Sequence, residues 1–422
     1  MKSIIVILIF CGTSVFGQPE FDRWFTGGTM RLDFILAGDN TGTRAYMYRI
    51  SREKEWPGSR VNFSDPYLNG DYYFEIMDSA SQNSIFSKSF NTLFGEWQTT
   101  AEAKKMEKAF QQTVFFPDPE NTFLFRLFRR ISREKSEMVM EVVIDPQDYL
   151  IPEEEIIPEF REIRIHGQSA NTVDITFIAE GYVKSEEEKF ISDVKRFSAC
   201  LLKVPPFSEQ TDKINIRAAL SFSSESGTDN PGEYDWKQTA AGTSFYTFGS
   251  ERYLTTPEYW KLCDLIRNIP TDQIVVLVNS DKYGGGGIYN HFSVCTSDHP
   301  LSEIVFVHEF GHAFAGLGDE YYDSEVAYES FYPLDQEPLP PNLTTLVDFD
   351  LKWKDMLDKD TPLPTPPTEE FSEKTGVFEG GGYTAKGVYR PQMDCRMKSN
   401  QSSDFCKVCQ RSIRLVIEHF SE

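Results

Sequence analysis

Positive charge is what this chain has least of for its size. Its 422 residues carry 42 Lys and Arg against 65 Asp and Glu, a net charge of −23. That balance argues against nucleic acid or an anionic membrane surface as partner, because both select for basic patches. Long apolar runs are also missing. Beyond the first residues no segment reaches the roughly 20 apolar positions of a membrane-spanning helix, so membrane insertion is not expected. The run Gly284-Gly285-Gly286-Gly287 lacks the Lys-Ser or Lys-Thr ending of a phosphate-cradling loop. What is present is ordinary globular material, 40% hydrophobic and 14% aromatic. The length is too great for one core and suggests two or three domains.

Met1-Lys2-Ser3 and the apolar stretch Ile4 to Phe10, followed by Val15-Phe16-Gly17, read as a secretory signal peptide over residues 1–17. A secreted or periplasmic protein is therefore expected. Cys11 raises a lipid anchor as the lesser alternative, since Phe10 is too large for the residue before a lipidated cysteine. Removal of the segment leaves Cys200, Cys263, Cys295, Cys395, Cys406 and Cys409. In an oxidising compartment the last three are the natural place for a disulfide. A second zinc site at the Cys406/Cys409 knuckle spacing is the sharper alternative, but only Cys395 is near enough in sequence to join them, and a structural site wants four ligands.

Residues 18–150 show short alternating runs such as Tyr72 to Ile76, Thr122 to Phe128 and Met138 to Ile144, separated by turn residues. This predicts an antiparallel β-sandwich, with one helix over Thr100 to Gln111. A linker with Glu153-Glu154-Glu155 follows, and residues 151–422 change to alternating strands and helices, the pattern of an α/β domain. The glycine run leads into an expected edge strand, Ile288 to Val294, along which an extended protein or peptide substrate could pair.

The chemistry-bearing motif is His308-Glu309-Phe310-Gly311-His312, with Gly318-Asp319-Glu320-Tyr321 shortly after it. A helix turns about 100° per residue, so residues at i and i+4 share a face. Two imidazoles so placed can bind one Zn²⁺, with Glu309 beside the metal's open position as general base. This is the constellation for hydrolysing a peptide bond with an activated water. Ser302 is the expected N-cap of the helix. Two histidines merely hydrogen-bonded in a core would leave the acidic cluster after the helix without a purpose.

The motif, the glycine break and Cys395-Arg396-Met397 together resemble the metzincin metallopeptidases, in which a Met-containing turn lies beneath the metal. More closely, His308 to Tyr321, Gly284 to Asn290 and Cys395 to Cys409 resemble the IgA-peptidase family of secreted bacterial zinc metalloendopeptidases. The resemblance covers roughly residues 160–420 and implies a multidomain α+β protein: an N-terminal β-sandwich and a metzincin-like zinc peptidase domain. One departure stands out. At the family's usual helix-break and third-ligand positions this chain has Ala315 and Gly318, and sliding by one residue places Gly316 and Asp319 there. The implied metal ligands are then His308, His312 and Asp319, with Glu309 catalytic and Met397 packing. Glu320 is the rival third ligand, and Glu325 or Glu329 a more distant one. Tyr383 and Tyr389 are candidates to stabilise the oxyanion. The reading from another class is a binding or adhesion protein that retains the scaffold without catalysis.

Overall fold

The computed structural model describes residues 21–67, 69–322 and 332–422. The expected signal segment, with Cys11, and the distant ligand candidates Glu325 and Glu329 lie outside the described residues.

After a four-residue helix α1 (Phe21–Trp24), the first half is built from seven strands: β1 (Phe25–Gly38), β2 (Thr43–Glu53), β3 (Tyr72–Asp78), β4 (Ser84–Phe90), β5 (Lys108–Pro119), β6 (Phe123–Arg130) and β7 (Ser136–Ile144). They form two antiparallel sheets, ordered β2-β1-β5 and β4-β3-β6-β7. Period-two alternation is the cause. Tyr72, Phe74 and Ile76 of β3 are buried while their neighbours are half-buried, and Phe123, Phe125 and Leu127 of β6 do the same. These side chains share one core with Met30, Leu32 and Phe34 of β1 and Phe116 of β5. Each buried aromatic or aliphatic side chain there contributes roughly 1.5–3 kcal/mol.

The helix expected over Thr100 to Gln111 is not formed. A shorter helix, α2 (Leu93–Gln98), precedes it. Thr92 Oγ1 caps its start by accepting from Gly95 N at 2.9 Å, and the Thr99 and Thr100 hydroxyls donate back to Glu96 O and Trp97 O at 2.7 and 2.8 Å. From Lys108 onward the chain pairs with β1. Pairing across the sheet outweighs the local helix propensity of the Ala, Lys and Glu residues.

The second half alternates strands and helices: β8 (Phe160–Arg164), β9 (Val173–Glu180), α3 (Glu187–Leu201), β10 (Ile214–Ala219), α4 (Tyr259–Asp264), β11 (Gln273–Val278), β12 (Gly285–Ile288), β13 (Phe292–Thr296) and α5 (Ser302–Ala315). A small hairpin, β14 (Phe378–Gly381) with β15 (Thr384–Arg390), and helix α6 (Lys407–Ser421) follow. The six-stranded sheet runs β12-β13-β11-β9-β10-β8, parallel through its centre and antiparallel at both edges. Every residue of β9, β10 and β11 is buried, as expected where both faces are covered. Phe177, Val275 and Leu277 pack with residues of α3, α5 and α6 on one face, while Ile178, Val276 and Val278 pack with residues of α4 on the other.

The expected edge strand Ile288 to Val294 is corrected. The edge is Gly285–Ile288; Asn290, at φ 51°, turns the chain, and residues from Phe292 form the next strand inward. A hairpin turn, not one strand, therefore occupies that stretch. Ser302 is likewise the first residue of α5 rather than its N-cap, which is Leu301.

Candidate active site

Helix α5 is apolar nearly all round, and Val305, Phe306, Phe310 and Phe314 are buried on it. Its remaining face carries His308, Glu309 and His312 into an open cleft of about 350 Å³. Strand β12 runs against this face so closely that a Cβ on Gly287 would lie 2.2 Å from Glu309 O, and one on Gly285 3.0 Å from Glu309 Cγ. Only glycine allows the edge strand to approach the helix backbone in this way. The glycine run thus forms one wall of the cleft.

The helix ends at Gly316, its C-cap in the left-handed conformation at φ 62°, where Gly316 N donates to His312 O at 3.0 Å. The chain turns back, and Asp319 returns to the histidines. Asp319 Oδ1 lies 3.0 Å from His308 Nε2 and 3.2 Å from His312 Nε2, and the two Nε2 atoms are 3.0 Å apart. Glu320 points elsewhere: its backbone N donates to Met397 O at 2.8 Å, and its carboxylate lies with Cys395, Cys406 and Cys409. Tyr383 Oη donates to Asp319 Oδ2 at 2.5 Å and lines the cleft. Tyr389 does not line it and instead pairs in the β14–β15 hairpin.

The donor set fits a divalent metal. His308 Nδ1 lies 2.9 Å from Arg396 O and His312 Nδ1 2.5 Å from Leu317 O. A carbonyl can only accept, so each Nδ1 carries the proton and each Nε2 presents a lone pair. Two lone pairs and a carboxylate oxygen crowded within about 3 Å demand a cation. Tetrahedral coordination at about 2.0–2.1 Å imposes ligand separations of roughly 3.3 Å. The electrostatics favour positive charge at this point, which a proton supplies where no metal does. Burial opposes charge on His312, yet Asp319 raises that imidazole to about 9, and the imidazoles in turn hold Asp319 well below the usual carboxylate range against its burial. The Glu309 carboxylate also comes within 4.8 Å of both histidines. Asp319 Oδ1 is buried, accepts no hydrogen bond and lies 3.0 and 3.2 Å from the two Nε2 atoms. Burial raises Glu309 and the two histidines oppose that rise.

Met397 is fully buried beneath the helix, its Sδ 3.0 Å from where a Gly311 Cβ would stand. One further cleft residue, Arg252, has no signal in the sequence, and another, Tyr321, stands in the motif without an expected role. Arg252 reaches the cleft from the loop before α4 and acts electrostatically on Glu309. Tyr321 stacks on His308 at 6.5 Å between ring centroids. The first could not be placed by spacing; the second follows Asp319 and Glu320 directly and was within reach of the motif.

A search of curated proteins finds no match to this chain. Comparison with protein families matches residues 162–374 and 367–417 to IgA Peptidase M64, and residues 20–141 to the Peptidase M64 N-terminus. These segments cover both halves of the fold, including the helix, the return to Asp319 and the Met397 segment, and the chain belongs to the IgA Peptidase M64 family of peptidases.

Proposed function

We propose that the protein is an exported zinc-dependent endopeptidase. The observation that carries this reading is the convergence of His308 Nε2, His312 Nε2 and Asp319 Oδ1 beside Glu309 in an open cleft. His308, His312 and Asp319 would hold a zinc ion, which when bound supplies Lewis acidity and a water of lowered pKa. Glu309 takes a proton from the attacking water and later delivers it to the leaving amine nitrogen. Arg396 O and Leu317 O fix the two imidazoles in the tautomer that presents Nε2. Tyr383, whose one hydroxyl proton goes to Asp319 Oδ2, orients that carboxylate from the cleft wall.

The substrate is a protein or peptide, and the edge strand offers backbone groups to an extended chain beyond Gly285, whose own N and O pair with Arg252 O and Leu254 N at 3.3 and 3.2 Å. We read residues 18–150 as a β-sandwich positioning domain and residues 151–422 as a metzincin-like catalytic domain. Residues 1–17 are read as an export signal. The test is digestion of a peptide library by the purified protein before and after a strong chelator, then after zinc is restored. Cleavage that disappears and returns supports the reading. Cleavage indifferent to chelation refutes the metal mechanism, and no cleavage of any peptide by the zinc-loaded protein favours the non-catalytic binding protein.

A further inference from the structure

We propose a second metal site, a closed structural zinc centre with Cys395, Cys406, Cys409 and Glu320 as its four ligands. The sequence shows three cysteines and no fourth partner; the fold supplies one by turning Glu320 away from the histidines. The four ligand atoms all lie within 4.8 Å of one another and all four residues are buried, Glu320 completely. Tetrahedral zinc with Zn–S near 2.3 Å places sulfur atoms roughly 3.8 Å apart and a carboxylate oxygen somewhat closer. Cys395 Sγ and Cys409 Sγ are 3.9 Å apart, and Cys409 Sγ is 3.4 Å from Glu320 Oε1.

Burial alone opposes charge on Cys395, Cys409 and Glu320, so a cation is needed to hold them as anions, and neighbouring donors assist. Cys406 N and Met397 N approach Cys395 Sγ at 3.2 and 3.5 Å, donors suited to a thiolate. Cys406 is the N-cap of α6, where the helix dipole stabilises negative charge. Glu320 Oε2 is buried with no hydrogen-bond partner among the described residues, although Asn342 Nδ2 donates to Oε1 at 2.9 Å. A carboxylate so enclosed needs a cation. Arg390 acts on Glu320 and Arg396 on Cys395, and both guanidiniums are buried with unsatisfied N–H groups. Three thiolates and a carboxylate against Zn²⁺ and two guanidiniums leave no net charge. A disulfide between two of the cysteines would leave the third and Glu320 unexplained. The six cysteines of the described residues are all free thiols. Soft thiolates select zinc over calcium or magnesium, and four protein ligands leave no position for substrate.

The site is independent of the histidine centre but braces it. Glu320 is adjacent to Asp319, and Cys395 is adjacent to Arg396, whose carbonyl orients His308. One ion would thus tie the segment after α5, the Met397 turn and the start of α6 together behind the catalytic residues.

The experiment uses the full-length chain with His308→Ala and His312→Ala, which removes the first site and leaves the second intact. This protein is expected to retain one zinc per chain, and wild type two. Cobalt substitution of the double variant should give intense sulfur-to-metal charge-transfer absorption, and zinc-edge X-ray absorption a sulfur-rich shell. In the same background Glu320→Gln should weaken zinc retention about 10-fold or more and alter the cobalt spectrum. A double variant without metal, with all thiols titrating or with a disulfide in its mass spectrum, overturns the site. A spectrum unchanged by Glu320→Gln overturns Glu320 as ligand. Failure of the peptidase reading would leave these readouts untouched.

Discussion

At the scale of single residues, the proposed function gives Glu309 and Asp319 separable jobs. Glu309→Gln keeps size and polarity and leaves the three proposed ligands in place. We expect metal content near wild type and activity lower by at least about 10²-fold, the low end for losing a general base; near-normal turnover would refute the role. Asp319→Ala removes an oxygen that faces both imidazoles, so the expected result is loss of the metal at this centre. Tyr383→Phe deletes the 2.5 Å bond to Asp319 Oδ2. It should retain metal but lose about 10–100-fold in affinity or activity, and equal effects of Asp319→Ala and Tyr383→Phe on zinc retention would break the assignment. The motif put His308, Glu309 and His312 on one helix face, and the family resemblance, slid by one residue, implied Asp319. Its rival Glu320 could not be excluded that way, because adjacent residues in a turn diverge and only the fold shows which faces the histidines. Tyr383 and Arg252 come to the cleft from distant segments, where spacing carries no information.

At the scale of elements, the glycine run of β12 is the part most exposed to a steric test. A methyl at Gly287 would meet backbone, Glu309 O at 2.2 Å and Glu309 C at 2.9 Å, so neither neighbour can rotate away. Gly287→Ala is expected to destabilise the protein by about 1–3 kcal/mol, as overpacking does, and to depress activity by displacing the helix. Gly42→Ala meets nothing within 4 Å and is the control, expected to be near neutral. Similar urea midpoints for the two variants would show that the approach of strand to helix is softer than its geometry implies. The alternation of strands and helices expected over residues 151–422 takes the form of β9 to β11, α3 and α6 because burial imposes that pattern. Periodicity misplaced the edge strand and the Thr100 to Gln111 segment, the first because Asn290 turns the chain into a tight hairpin with β13, the second because Lys108 onward pairs with β1 far along the chain.

At the scale of the whole molecule, the two halves are joined by polar contacts that no local pattern announces. Arg31 of β1 donates to Asp264 at the end of α4 at 2.5 Å, and Trp260 Nε1 donates to Gln112 O of β5 at 2.8 Å. His291 lies in this seam, in the turn between β12 and β13. It stacks on Tyr259 at 3.5 Å between ring centroids, and its Nε2 is 3.2 Å from Gln112 Oε1. Burial lowers its pKa from 6.5 to about 3. The unfolded chain therefore binds one more proton than the folded chain between those two values, and stability rises with pH across that window. Acidification below about 6.5 should progressively weaken the fold until about pH 3, by about 1.36 kcal/mol per unit. His291→Phe keeps the stacking and removes the proton site, while leaving Gln112 short of a donor at a cost of about 1–3 kcal/mol. In chelator, where neither metal contributes, wild type should be the more stable protein near pH 7. The gap should narrow or reverse by about pH 4.5, a relative change of roughly 2–3 kcal/mol. Parallel denaturation curves for the two proteins over that range would mean that His291 does not carry the acid sensitivity of the seam.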